Sequence, residues 1–150
     1  MLKNLDNRLN AEVLYALRAM GHGDTLVIAD TNFPSDSIAR QTVLGELLRM
    51  DNLTCAEVVE AVLSVLPLDN FFTHAALTMQ VVGDAEAVPP AVADMQAVLA
   101  RHGCPPAGSL ERFAFYERAA GAFAVVATGE TRIYGNVILR KGVVLQGGDE

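Results

Sequence analysis

The stretch Met20-Gly-His-Gly-Asp-Thr-Leu-Val-Ile-Ala-Asp-Thr-Asn-Phe-Pro34 decides how this chain folds. Residues 25–29 are a short apolar run with β-branched side chains, bounded by a glycine-rich turn and a proline loop, which predicts a buried strand. Asp30 follows where that strand ends. His22 lies in the turn before the strand, between two glycines that leave its imidazole accessible. A proton carrier and a carboxylate therefore flank one rigid element.

Helices are predicted on both sides of this strand. Asn10 is a favourable N-cap for a helix whose apolar stripe runs to Met20, and Gly21 is placed to end it. Thr54-Cys-Ala-Glu57 has the capping-box pattern and begins a helix that Pro67 stops. Further helices are predicted at 89–100 and 113–120, and further strands at 75–82, 123–128 and 137–145.

Two regions carry conflicting signals. Within residues 35–52, Thr42-Val-Leu44 suits a strand whereas Glu46-Leu-Leu-Arg49 suits a helical turn, and Arg112 with Phe113 could be helical or extended. The alternation of strands and helices nevertheless predicts an α/β fold with a central, mostly buried sheet flanked by helices. We expect one domain over residues 1–150, with a frayed tail at 147–150.

The composition excludes several classes of protein. Half of the 150 residues are hydrophobic, 19% are charged, and the net charge of −7 comes without a cluster of Lys or Arg, which argues against nucleic acid and anionic membranes as partners. No apolar run is long enough to span a bilayer, and the first residues lack a signal-peptide core, so we expect a cytoplasmic protein. Cys55 and Cys104 lack metal or redox spacing.

Two blocks of sequence resemble one known family. Gly21-His-Gly-Asp24, Ala29-Asp30 and Phe33-Pro34 are similar to the mutarotase branch of the D-ribose pyranase and L-fucose mutarotase family. The C-terminal half of the chain agrees, in collinear order, through Glu111-Arg-Phe-Ala-Phe-Tyr-Glu-Arg-Ala119, Val125-Val-Ala-Thr-Gly-Glu130, Tyr134-Gly-Asn136 and Lys141-Gly-Val143. Each motif alone is weak, but the ordered set over nearly the whole chain is specific.

The resemblance implies an isomerase that interconverts the α and β anomers of a free monosaccharide, L-fucose or a related sugar. Opening the ring requires a group that releases and accepts a proton near neutral pH, and the resemblance gives this catalytic role to His22. It implies no metal and no cofactor. The residues that it places in contact with the sugar are Asp30, Arg112, Tyr134, Gly135 and Asn136, with Tyr116 as a weaker candidate.

The resemblance also implies a homo-oligomer, a ring such as a decamer or octamer, with sites near the subunit contacts. The low charge content is compatible with such an assembly. Because fucose carries a methyl group, we expect an apolar wall in the pocket, for which Phe33, Met79 and Phe115 are candidates.

Other interpretations stay open. Without the resemblance, His22 and Asp30 would be ordinary turn residues, and Arg112 would pair with Glu111 or Glu117 on the surface. Within the family, the alternative function is a ribose pyranase that exchanges pyranose and furanose forms. From a different class, the alternative is a monosaccharide-binding protein without catalysis.

Overall fold

Helices and strands alternate along residues 1–147, the part of the chain that this computed structural model describes. The helices are α1 (Ala11–Ala19), α2 (Ser35–Ala39), α3 (Cys55–Leu63), α4 (Pro90–Arg101) and α5 (Arg112–Ala120). The strands are β1 (Thr25–Ala29), β2 (Leu48–Met50), β3 (Ala76–Met79), β4 (Gly108–Leu110), β5 (Ala124–Thr128) and β6 (Val137–Arg140).

The strands form one mixed six-stranded sheet in the order β2-β5-β1-β6-β3-β4. β1 pairs in parallel with β5, β5 with β2, and β3 with β4, whereas β6 runs antiparallel to both β1 and β3. Five strands therefore end at the same edge of the sheet, where β6 begins. We call this the carboxyl edge, and the opposite one the amino edge.

Helices cover both faces of the sheet, which explains why β1 and β5 are apolar apart from one threonine each. On one face, Leu26 and Ile28 pack in a core cluster with buried residues of α1, α3 and α4. On the other face, Val27 and Ala29 pack with Phe115 of α5 and residues of α2. Alternate side chains of one strand thus serve two separate cores.

Several predicted elements are confirmed. β1 has the predicted bounds, and the side chain of Asn10 accepts a hydrogen bond from Val13 N at the start of α1. The capping box of Thr54 and Glu57 is formed at the start of α3. The α/β fold with helices flanking a buried sheet is confirmed as well.

Other predictions are wrong in detail. In residues 35–52 the order is a helix followed by a strand, because Leu48–Met50 pairs with β5 while the chain bends at Thr42-Val-Leu44. The strand predicted at 75–82 is limited to Ala76–Met79. The one at 137–145 ends at Arg140, because Gly142 N donates to Pro67 O outside the sheet.

Two further points complete the fold. Strand β4 was not predicted at all, and α5 settles the ambiguity at Arg112 and Phe113 as helical. Within residues 1–147, no helix is long and apolar enough to cross a membrane. Apart from Gly147, the predicted frayed tail lies outside the described residues.

Candidate functional site

A cavity of about 220 Å³ opens at the carboxyl edge of the sheet. We call it the carboxyl-edge pocket. Open α/β sheets place their ligands at this edge, because the loops that follow the strands converge there. The pocket is lined by Asp30, Asn32, Phe33, Met79, Arg112, Tyr116, Ile133, Tyr134 and Asn136. It therefore unites five of the six predicted sugar contacts, and the sixth, Gly135, lies directly behind it.

Asp30 joins the end of β1 to the loop that precedes β6. Its Oδ1 accepts hydrogen bonds from the N–H groups of Asn32 and Phe33, both at 2.9 Å. Its Oδ2 accepts from Gly135 N at 3.0 Å and from Asn136 Nδ2 at 3.2 Å. The carboxylate is only 3% exposed, so these four donors replace the water that it has lost.

The burial of Asp30 has an electrostatic consequence. Loss of solvent raises the pKa of this carboxyl above its ordinary value of 3.8, although the four hydrogen bonds act in the opposite direction. The Asp30 N–H also donates to Asn136 Oδ1 at 2.9 Å, so the two residues bind each other through two hydrogen bonds. The Asn136 side chain is therefore held in one orientation at the pocket wall.

Tyr134 has a strained backbone beside this pair. Its φ of 63° lies in the left-handed region, which residues other than glycine rarely adopt. Its hydroxyl accepts a hydrogen bond from Val82 N at 3.1 Å, which connects the loop before β6 with the loop after β3. Because the oxygen already accepts, the hydroxyl proton remains free to be donated into the pocket.

Arg112 is the first residue of α5, whose N-cap is Glu111. The guanidinium lies over the ring of Phe113, with 4.7 Å from Cζ to the ring centroid. In residues 1–147 it forms no ion pair, so the pairing with Glu111 or Glu117 that the sequence left open does not occur. Within the same residues, its buried Nε has no hydrogen-bond partner.

The apolar wall contains two of the three predicted residues. Phe33 and Met79 line the pocket, and the ring of Phe33 meets Tyr116 edge to face at 5.6 Å. Phe115 does not line it, because this side chain is fully buried behind Phe33, 5.8 Å away between ring centroids. The expectation for Phe115 was therefore wrong.

His22 lies at the amino edge, in a group that we call the His22 cluster: His22, Asp69, Phe71 and Arg140. His22 Nε2–H donates to Asp69 Oδ2 at 3.1 Å, and the imidazole meets the ring of Phe71 at 5.9 Å. Asp69 is fully buried, whereas the imidazole is 47% exposed. Arg140 Nε lies 3.3 Å from the same carboxylate oxygen, as an ion pair without hydrogen-bond alignment.

His22 and Asp30 do not meet within one chain, although the resemblance gives both of them a role toward the same sugar. The five residues of β1 separate them by roughly 16 Å along the strand. The sequence analysis also missed Asp69, because a carboxylate just after Pro67-Leu68 resembles an ordinary turn residue. No local signal in the sequence connects it with His22, which lies 47 positions away.

Within residues 1–147, no group of three His, Cys, Asp or Glu side chains is arranged to hold a metal ion. Two residues of the metal-binding types instead lie beside single carboxylates. Cys55 is buried beside Glu130, and burial raises the pKa of its thiol to about 12. His102 lies 3.1 Å from Glu60 on the surface of the helical layer.

The sequence of the chain matches that of a known family. The family model of the RbsD / FucU transport proteins matches residues 3–144. The chain belongs to this family. The RbsD / FucU family relatives include fucose mutarotase of Homo sapiens, which is 48% identical over 147 residues, 95% of this chain and 94% of that protein. Fucose mutarotase of Bos taurus is 47% identical over 147 residues, 96% of this chain and 95% of that protein.

Solved structures of the RbsD / FucU family have the same fold. Fucose mutarotase from Streptococcus pneumoniae, in complex with L-fucose, is 36% identical and superposes with a TM-score of 0.86 over 96% of this chain and all of that one. RbsD from Bacillus subtilis, in complex with D-ribose, is 20% identical with a TM-score of 0.74 over 97% of this chain and all of that one. The second likeness concerns the fold alone.

Proposed function

We propose that this protein is an L-fucose mutarotase, an isomerase that interconverts the α and β anomers of the free sugar. One observation carries the proposal: Asp30, Arg112, Tyr116, Tyr134 and Asn136 converge on a single small cavity at the carboxyl edge. Relatives that are 47% and 48% identical over nearly the whole chain are fucose mutarotases.

The pocket offers the polar groups that a sugar requires. Arg112 donates to the ring oxygen or the anomeric oxygen, where negative charge develops as the ring opens. Asn136 and the hydroxyl of Tyr134 bind neighbouring hydroxyls of the sugar. Phe33, Met79 and Ile133 provide the apolar surface for the methyl group. No cofactor is needed, because opening and closing the ring only moves protons.

We propose His22 as the general acid and base, acting on a sugar held by a neighbouring copy of the chain. In this arrangement Asp69 orients the imidazole through the contact at 3.1 Å, as an acidic partner does in other acid/base pairs. The exposed rings of Phe71 and Phe72 lie next to His22 and Arg140. At the other edge, the exposed side chains of Phe113 and Ile133 flank the carboxyl-edge pocket, so both surfaces have apolar area to bury.

This arrangement requires an assembly in which each chain offers its amino edge to one neighbour and its carboxyl edge to another. Such head-to-tail contacts form a ring when the rotation from one copy to the next closes. We therefore keep a homo-oligomeric ring, such as a decamer or octamer, as part of the proposal, together with residence in the cytoplasm. The monosaccharide is the proposed ligand of the carboxyl-edge pocket in each copy of the chain.

The test is exchange NMR on L-fucose at equilibrium between its anomers. With the protein added, magnetisation should transfer between the α and β anomeric signals faster than in buffer, and EDTA should not change the rate. His22→Ala should abolish the transfer while the sugar still binds, because the pocket remains. Line broadening without faster transfer would identify a monosaccharide-binding protein instead. Exchange between the pyranose and furanose signals of D-ribose, with none for L-fucose, would identify a pyranase.

A further inference from the structure

Glu130 is a buried carboxylate that the proposed reaction does not use. The residue is 2% exposed, follows strand β5 by two positions, and does not line the carboxyl-edge pocket. A charge this deeply buried is costly unless partners compensate for it. The hydrogen bonds of Glu130 therefore indicate what the residue holds in place.

One partner of Glu130 is Arg132. Glu130 Oε1 accepts from Arg132 Nε at 2.6 Å and from the backbone N–H of the same residue at 3.2 Å. Arg132 Nη1 in turn lies 2.8 Å from Asp94 Oδ2 on α4. Glu130 Oε2 accepts from Cys55 N, the first N–H of α3, at 3.2 Å. The carboxylate thus fixes the loop after β5 to the N-terminus of one helix and, through Arg132, to another.

The same side chain supports the sugar-contacting loop from behind. A Cβ atom built on Gly135 would lie 2.7 Å from Glu130 Cγ, so the backbone of Gly135 rests directly on this methylene. The N–H of Gly135 points the other way and donates to Asp30. Glu130 O also accepts from Thr31 N at 2.9 Å, just after Asp30. Both loops that form the polar wall of the pocket therefore contact Glu130.

We infer that Glu130 and Arg132 are a positioning pair, which holds Tyr134, Gly135 and Asn136 at the distance from Asp30 that sugar binding requires. The inference rests on the proposed function for its kinetic consequence. Its structural consequence, an ordered loop over residues 131–137, is independent of any activity. Small displacements of binding groups are sufficient to weaken a site strongly.

The chain contains a matched control for this pair. Arg8 binds Asp6 with the same geometry, since its Nε and its backbone N–H donate to Asp6 Oδ1 and its Nη2 donates to Oδ2. This second pair also spans two positions, but it precedes α1 and lies outside the carboxyl-edge pocket. Arg132→Gln and Arg8→Gln therefore remove the same type of bond in different places.

The experiment compares both variants with the unaltered protein by two measurements. Hydrogen exchange with mass spectrometry follows the amides of residues 131–137, and exchange NMR at several L-fucose concentrations gives kcat and KM. In Arg132→Gln we expect the rate of amide hydrogen exchange at residues 131–137 to rise about tenfold. We expect KM to rise by a similar factor, with a smaller change in kcat. Arg8→Gln should leave both unchanged. Asp94→Asn, at an exposed position, should change both in the same direction by less, and Arg132→Lys should retain part of what Arg132→Gln loses.

A purely structural role would give a different result. Arg132→Gln would then lower the melting temperature, with KM and the exchange at residues 131–137 as in the unaltered protein, and that outcome would overturn the inference. If Arg132→Gln does not fold, Asp94→Asn and Arg132→Lys decide by the same two measurements. If the unaltered protein does not accelerate anomer exchange, the proposed function fails, and the amide exchange at 131–137 still decides the positioning role.

Discussion

His22 and Asp30 lie at opposite ends of strand β1, one at each edge of the sheet. The proposed proton donor and the proposed sugar-binding carboxylate are separated by a full strand, so they cannot act on one small molecule within one chain. We therefore propose that each of the two clusters is half of a site. The proposed assembly joins the His22 cluster of one copy to the carboxyl-edge pocket of another.

We therefore predict complementation between two inactive variants. His22→Ala and Asp30→Ala should each abolish anomer exchange when purified alone. When they are co-expressed in equal amounts, about a quarter of the shared sites receive both intact residues, so about a quarter of the activity should return. Exchange NMR gives the activity, and native mass spectrometry verifies that the assemblies are mixed. Mixed assemblies without activity would contradict the shared site.

The second prediction concerns Asp69, which is fully buried and contacts the imidazole of His22. Asp69→Asn keeps the size of the side chain but removes the charge that orients the ring. We expect kcat to fall by about tenfold or more with little change in KM. Glu60→Gln is the matched control, because Glu60 lies at the same 3.1 Å from His102 on a different surface, and it should leave the kinetics unaltered.

The third prediction concerns the space at Gly135. An added Cβ would lie 2.7 Å from Glu130 Cγ and 3.4 Å from both Asp30 Cβ and Cys55 Sγ. Gly135→Ala should therefore lower the free energy of unfolding by about 1–3 kcal/mol and weaken L-fucose binding. Gly121→Ala is the control, since its Cβ would meet only Arg118 O at 3.7 Å. Urea unfolding and calorimetric titration measure the two effects. Equal behaviour of both variants would disprove the close packing.

The fourth prediction concerns stability in acid. Burial opposes ionisation of Glu130, but the hydrogen bonds from Arg132 and Cys55 N outweigh it, so the pKa lies below its ordinary value of 4.5. A carboxyl with a lowered pKa stabilises the fold above the pKa of the unfolded chain, and this stabilisation is lost as the pH falls through the lowered value. The free energy of unfolding should therefore decrease below about pH 4.5.

Glu130→Gln should reduce this decrease, as urea titrations at successive pH values would measure. Asp30 contributes with the opposite sign, because its pKa is raised by burial and protonation relieves that cost. Asp30→Asn should therefore leave the decrease in acid at least as steep as in the unaltered protein. A Glu130→Gln variant that loses stability in acid as steeply as the unaltered protein would contradict the assignment.

The fifth prediction concerns the two thiols. Cys55 is fully buried with a pKa of about 12, and its thiolate would face the carboxylate of Glu130. Cys104 is partly exposed, although burial raises its pKa too. Iodoacetamide should therefore add to the native protein once per chain, at Cys104, and to both cysteines after unfolding. Peptide mass spectrometry locates the adduct, and rapid labelling of Cys55 in the native protein would contradict the packing.

The sequence predicted what depends on local pattern. Strand β1 was found at its observed bounds because a glycine-rich turn precedes it, Asp30 follows it and residues 26–29 are all apolar. The capping box at Thr54 and the cap at Asn10 are likewise local signals with a specific geometry. Family membership followed from the order of the motifs, and it is confirmed.

Long-range pairing decided the rest. Strand β4 has only three residues, Gly-Ser-Leu, and exists because β3 lies alongside it. Strand β2 is as short and depends on β5. The pocket residues came from the resemblance to the family, since nothing local distinguishes Arg112 from a surface arginine. Asp69 lies 47 positions from His22, so only the fold could show that they touch.

The order of the strands has a consequence for how such a protein can change its ligand. β5 and β6 are consecutive in the chain but not adjacent in the sheet, because β1 lies between them. The connection from Thr128 to Val137 must therefore cross the end of β1 and pass over Asp30. Substitutions in this connection can change the side chains that face the pocket without moving its backbone. Inserting or deleting a residue would shift its backbone against Asp30 and Glu130, so specificity should diverge here by substitution and not by change in loop length.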